Sequence, residues 1–274
     1  MFSYQHIYHA GNKADVMKHL VLVALLDTLC ASDQALFLMD AFAGRGVYDF
    51  TTPEATKTPE FKDGIRRLYG RIRGHRVVDN YLSLQYTRNK TATNALRFFA
   101  GSARIMATYL RARDRLVACE MHPREFKYLD KILTPFAGAS ALAEDAFDTL
   151  NRLLPPGEKA GLILIDPSYE IKGEYARIAA AVADAHRRWP EGVIAVWYPL
   201  LHDARHVALT DALSVAHLPR WQEEWVFADQ TGRGMHGSGM VVINPPDGFT
   251  AHWQGVSDLV LPVLDDRTLD DDMT

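Results

Sequence analysis

The stretch Gly161-Leu-Ile-Leu-Ile-Asp-Pro-Ser-Tyr169 is a short apolar run that stops on an acid, a proline and an aromatic. A carboxylate beside a backbone carbonyl can accept both hydrogens of an exocyclic amine, and a neighbouring ring can stack on the base carrying it. Asp166, the carbonyl of Pro167 and Tyr169 therefore have the parts to hold a planar amino-purine for methylation at its amine. Asp-Pro also opens ordinary turns, so the motif gains weight only from what surrounds it.

The run itself, rich in branched residues and bounded by a proline signal, reads as a buried strand of a parallel sheet. Ligands of open α/β sheets gather at the carboxyl ends of such strands, which is where Asp166 and Tyr169 fall. Other segments give the same alternation. Asn12 followed by Asp15 opens a helix through about Cys30. Ala35–Asp40 is a first strand, leading into Gly44-Arg45-Gly46, and Arg115–Glu120 is a second. A helix starts at Gly101-Ser102 before that second strand. Ala139 to Glu144 is a weak third strand closing on Asp145, and Gly192–Tyr198 follows the central run as a fifth. Trp221 to Phe227 and Met240 to Asn244 complete a seven-stranded count, and the glycines from Gly234 to Gly239 suggest a flexible lid. Strands alternating with helices predict a Rossmann-like, mainly parallel α/β sheet with helices on both faces.

This frame collects polar residues at successive strand ends. Gly44 and Gly46 let backbone approach a ligand, Glu120 is placed for ribose hydroxyls, and Asp145 for an adenine amine. Each acid alone is more often a cap or turn residue. All of them falling at strand ends before Asp166 is the logic of an S-adenosylmethionine site. A nicotinamide enzyme would carry three spaced glycines after the first strand, and this chain has only Gly-x-Gly.

The length of 274 residues suits one methyltransferase-sized domain spanning 1–274. A charged, helical insertion interrupts it at about 49–98, and ten Lys/Arg lie between Lys57 and Arg97 against Glu60, Asp63 and Asp79. The segment is strongly basic although the whole chain is at −4, so it could hold phosphates locally. The tail from Asp265 carries five Asp and one Arg and is expected to be disordered. No secretory signal or membrane-length apolar run is present, and Cys30 and Cys119 form no metal-type pair. A reducing cytoplasm fits. His6, His9 and His19 lack the regular spacing of a metal site, and nothing demands a protein partner.

Longer motifs are more specific. Tyr4-Gln-His-Ile-Tyr-His-Ala-Gly-Asn-Lys-Ala-Asp-Val-Met-Lys-His19 resembles the N-terminal signature of the 23S rRNA adenine-N6 methyltransferases of the RlmJ type. Gly101-Ser102, Glu120-Met-His-Pro123, Gly161 to Tyr169, Trp197-Tyr-Pro199 and Gly234 to Pro246 match in family order. The resemblance implies that His19, Ser102, Glu120 and Asp145 hold S-adenosylmethionine, with Lys18 facing the same pocket. It further implies that Asp166 is the catalytic acid and that Tyr4 approaches the target adenosine, with 23S rRNA, naked or in an assembling large subunit, as substrate. Two departures stand out: Phe42 occupies a position where the family often has histidine, and Asp166-Pro167-Ser168-Tyr169 replaces Asp-Pro-Pro-Tyr. Ser168 restores a backbone N–H and loosens the loop, while the acid, carbonyl and aromatic survive. The same residues leave open a DNA adenine-N6 methyltransferase, or a non-catalytic RNA-binding protein that keeps the fold.

Overall fold

The computed structural model describes residues 5–89, 95–171, 173–227 and 234–266. Tyr4, Lys90 and most of the acidic tail lie outside the described residues.

In chain order the first elements are α1 (Lys13–Leu29), β1 (Leu36–Asp40) and β2 (Val47–Asp49). Three helices follow, α2 (Pro53–Lys57), α3 (Ile65–Leu68) and α4 (Arg76–Arg88), then β3 (Phe98–Ala100) and α5 (Ser102–Tyr109). Next come β4 (Arg115–Cys119), α6 (Pro123–Leu133), β5 (Ala139–Leu142), α7 (Ala146–Leu153), β6 (Ala160–Ile165) and α8 (Glu174–Arg188). The last are β7 (Val193–Leu201), α9 (His206–Val215), β8 (Arg220–Val226), β9 (Met235–Ile243), α10 (Phe249–Trp253) and α11 (Val256–Asp265).

Seven strands form one sheet in the order β5-β4-β1-β6-β7-β9-β8, parallel except for β9, which runs antiparallel to β7 and β8. This is the Rossmann-like sheet of class I S-adenosylmethionine-dependent methyltransferases. The chain winds outward from β1 to one edge, then returns to β6 and builds the other. The carboxyl ends of β1 and β6 therefore flank the switch point where open α/β sheets bind ligands, and Asp40 and Asp166 stand at those two ends.

Alternation along the central strands divides the core. Leu38, Leu116, Leu162 and Ala195 face α1, whereas Phe37, Val117, Ile163 and Ile194 face α7, α8 and α9. All of α1 except Lys13 and Thr28 is buried, its polar Asp15, Lys18, His19 and Asp27 included. Its outer side is covered by α4 of the inserted segment, through Val77, Val78, Tyr81 and Leu82, and by α10 near the end of the chain. A ribbon not anticipated from sequence, β2 paired with β3, closes the base of the insertion.

Two sequence expectations need correction. The third strand is shorter than expected, ending at Leu142, and Asp145 is the N-cap of α7. The proposed lid from Gly234 to Gly239 is largely strand: Met235 opens β9, which is hydrogen-bonded on both sides. Its glycines make room rather than motion. A Cβ on Gly239 would lie 2.2 Å from the Tyr198 ring, and one on Gly237 would lie 2.5 Å from the Trp225 carbonyl.

Gly161 shows the same economy in the centre of the sheet, where a Cβ would meet the Phe37 carbonyl oxygen at 1.9 Å. Gly161→Ala should part β1 from β6 and destabilise the protein by on the order of 3–5 kcal/mol. Thermal melting checks this, and an unchanged midpoint would show that the strands can yield.

Candidate active site

The site begins at the N-cap of α1. Asn12 accepts from the Asp15 amide at 2.9 Å, which fixes the first turn and turns the Asp15 side chain back into the protein. There the carboxylate accepts from the Gly11 amide at 2.8 Å, from His6 Nε2 at 2.8 Å and from Lys18 Nζ at 2.7 Å. Lys18, one turn on, also donates to Asp166 at the end of β6. A buried ammonium thus sits between two carboxylates carried by residues far apart in sequence. Burial opposes the charge on Lys18, but Asp15 and Asp166 overcome it and hold the lysine above its ordinary range. Burial likewise opposes the charge on Asp15, and His6 and Lys18 hold it well below the usual carboxylate range.

The inserted segment is tied to this turn. Glu60 accepts from His9 Nδ1 at 2.8 Å and from Asn12 Nδ2 at 3.1 Å, and the Ile65 amide donates to the Gly11 carbonyl at 2.8 Å. A chain of hydrogen bonds therefore runs from the insertion through Asn12, Asp15 and Lys18 to Asp166.

Lys18, Asp166, Pro167, Ser168 and Tyr169 line a cavity of about 870 Å³, whose further walls include His19, Phe42, Gly44, Ser102, Glu120 and Asp145. The size falls within the range of small-molecule sites. Gly44 and Gly46 both have positive φ, 60° and 76°, and a Cβ on Gly44 would stand 2.3 Å from the buried Tyr48 hydroxyl. Between them Arg45 is clamped to Glu125 of α6 by bonds of 2.6 and 2.7 Å, which pins the turn. The Gly44 amide faces Glu120, whose carboxylate also accepts from the His122 amide at 2.6 Å and whose pKa burial raises. Asp145 both lines the cavity and caps α7, accepting from the Phe147 and Asp148 amides at 2.9 and 3.1 Å. The capping role and a place on the cavity wall coexist in one carboxylate. Phe42 meets Phe147 edge-on at 5.9 Å and Arg177 lies over the Phe147 ring at 3.8 Å, so this wall is aromatic.

His19 is 1% exposed and stacks on Phe99 at 5.3 Å. Burial pushes its pKa down to about 3, so the ring is neutral at working pH. Tyr169 has a left-handed backbone, φ 53°, and its hydroxyl donates to the Trp197 carbonyl at 2.6 Å. Tyr175 stacks on it at 4.4 Å. The expectation of an open stacking ring is thus narrowed, because one face is taken by protein.

Three charged or titratable residues of this site were not singled out from sequence as site residues: Asp15, His6 and Asp40. Asp15 had a bland account as a first-turn acid, and its contacts with Lys18 and His6 exist only in three dimensions. Asp40 had a usable signal, since it ends the first strand just as Asp166 ends the fourth. It is fully buried, with the Ser102 hydroxyl and the Phe42 amide facing it. Burial, reinforced by the Asp166 charge, raises its pKa from 3.8 to about 6. A folded value above the unfolded one means that the folded protein binds the extra proton, so stability falls as pH rises through that window. The cost at neutral pH is about 3 kcal/mol. Asp40→Asn is therefore expected to raise the melting temperature at pH 8 and to lose that advantage by pH 4. A gain independent of pH would assign the effect to packing.

No group of three or more His, Cys, Asp or Glu that could hold a metal is found among the described residues. No helix among them is long and apolar enough to cross a membrane.

Residues 33–270 match the family model described as "Ribosomal RNA large subunit methyltransferase D, RlmJ". A relative from Haemophilus influenzae, named ribosomal RNA large subunit methyltransferase J, is 35% identical over 90% of this chain and 88% of its own. One of the same name from Escherichia coli is 33% identical over the same shares. A crystal structure of a Legionella pneumophila protein, 33% identical, superposes with a TM-score of 0.84 over 93% of this chain and 95% of the other. With the sheet order and the matched segments in agreement, the chain belongs to the RlmJ family of ribosomal RNA large subunit methyltransferases.

Proposed function

We propose that this protein is an S-adenosylmethionine-dependent methyltransferase that modifies N6 of a single adenosine in 23S rRNA. The observation that carries the reading is Asp166, with Pro167 and Tyr169, at the switch point of the sheet and on the same cavity as Gly44, Ser102, Glu120 and Asp145. The turn at Gly44, where a Cβ would strike Tyr48, and the acids that follow β4 and β5 are the parts that would hold the cofactor's amino-acid, ribose and adenine groups. His19 would pack against it as a neutral ring, and Lys18 would border it. When bound, S-adenosylmethionine supplies an electrophilic methyl group.

The protein's own residues do the rest. Adenine N6 is a weak nucleophile because its lone pair is delocalised, and positive charge grows on it as that pair is used. Asp166 and the Pro167 carbonyl, fixed beside it, favour that charge, and Asp166 or a water takes the proton. Lys18 holds the Asp166 carboxylate in place, so little reorganisation is needed during reaction. Tyr169, on the cavity wall, is the ring assigned to the base, with Tyr4 as the residue that approaches the adenosine. The base must be unpaired or flipped to enter. The chain then works as one methyltransferase domain in the cytoplasm, on naked or assembling rRNA. Its inserted segment, through Arg66 of α3 and through Lys62, Arg71 and Arg73 in the turns on either side, offers basic side chains to the RNA backbone.

Incubation with labelled S-adenosylmethionine and unmodified 23S rRNA, followed by digestion and mapping, tests the reading. N6-methyladenosine at one position supports it. Transfer only to DNA would replace the substrate, and cofactor binding with no transfer would favour an RNA-binding protein that has lost turnover. Phosphate contacts also require that activity fall steeply with salt.

A further inference from the structure

The pairing of β7 with β9 is regular up to Leu200 opposite Gly237, and then Leu201 stands opposite Met235. His236 is the extra residue of a bulge, a feature that re-aims side chains beside active sites. Its ring stacks with that of His202, the first residue past the carboxyl end of β7, at 4.7 Å between centroids and 27° between planes. His202 is exposed, and its ring makes no hydrogen bond or ion pair among the described residues. In the same pair, Nδ1 of His236 is buried and has no hydrogen-bond partner among the described residues. The chain neighbours of both, Leu201 and Met235, line the cavity on the side of Trp197 and Pro199, across the sheet from the glycine turn after β1. The two imidazoles thus form a stacked ledge next in the chain to residues that line the cavity, with His202 exposed.

We propose that this ledge holds an unpaired nucleobase next to the target adenosine in the RNA strand, by stacking on the outer face of His202. The proposal rests on the reading that the cavity admits a nucleoside from RNA. Extruding one base leaves its neighbours without a stacking partner, and an aromatic face at the mouth restores one whatever the base identity.

The test uses the RNA in which the methylated position has been mapped, and two copies of it made abasic at the preceding or the following nucleotide. His202→Ala should lower kcat/KM on the intact RNA by roughly five- to a hundredfold, with melting temperature and affinity for S-adenosylhomocysteine unchanged. His202→Phe should restore activity and His202→Lys should not. On one of the abasic RNAs the wild type and His202→Ala should perform alike. An undiminished His202→Ala enzyme, an equal loss on both abasic RNAs, or rescue by Lys rather than Phe would overturn the ledge while leaving the methyltransferase reading intact. Absence of transfer from the wild type would instead remove that reading, and the ledge with it.

Discussion

Asp166→Ala is expected to lower kcat by on the order of 10³-fold or more while affinity for S-adenosylhomocysteine stays within a few-fold. The separation follows from the geometry. Asp166 is the one acid of the site that both ends β6 and accepts from Lys18, whereas Glu120 and Asp145 sit on the other strand ends and keep their own partners. On the proposed reading, removal of the carboxylate deletes the acceptor for the reacting amine. It does not strand a buried charge, because Lys18 keeps Asp15 at 2.7 Å. The variant should therefore fold, and single-turnover methylation read beside calorimetric titration distinguishes lost chemistry from lost binding. Turnover within threefold of wild type would move the catalytic role elsewhere.

Lys18→Met should be damaging in a different way. It leaves Asp15 and Asp166 without their shared ammonium, beside a buried Asp40. Breaking a buried ion pair from one side costs about 3–5 kcal/mol, a melting-temperature loss of roughly 6–15 °C for a chain of this size. The sign of the pH dependence follows from both partners. Asp15 is depressed in the folded state, so its contribution is present above its unfolded value of 3.8 and fades as pH falls through and below it. Lys18 is raised, so its contribution is complete below 10.5 and fades as pH rises beyond it. The gap between wild type and variant should be widest from about pH 5 to about pH 10 and narrow on either side. Melting curves across that range decide it, and a variant within about 2 °C of wild type at pH 7 would remove the ion-pair argument.

The elements that position the chemistry were legible because they obey simple periods. The apolar run into Asp166, the strand into Asp40 and the Asn12 cap of α1 all appear where the spacing put them. What escaped was contact between distant residues. Nothing local says that Lys18 reaches Asp166, or that Glu60 holds Asn12. β2 and β3 have three residues each, too short for a period to show, and lie on either side of a long helical stretch. The glycines of β9 misled for a definite reason: glycine content looks the same whether it serves motion or makes room for a cross-strand tyrosine. Tyr169 lines the cavity, but its stacking on Tyr175 could not be seen without the turn that brings α8 back under the loop.

The burial of α1 has a consequence for synthesis of the chain. This helix is the first made, yet its covers come late: α4 from residues 76–88, the sheet from residues 36 onward, and α10 only at Phe249–Trp253, where His252 meets Thr28 at 2.8 Å. At about 5–20 residues per second, the N-terminal helix waits on the order of 10–50 s for its last neighbour. For the first part of that interval, until residues 160–165 are made, the ribosome carries a helix with Lys18 and Asp15 already on it but no β6 to meet. The outer cover of the helix that carries Asp15 and Lys18 is thus completed only when residues 249–253 have been made, and a nascent chain released before residue 249 would be bait for chaperones.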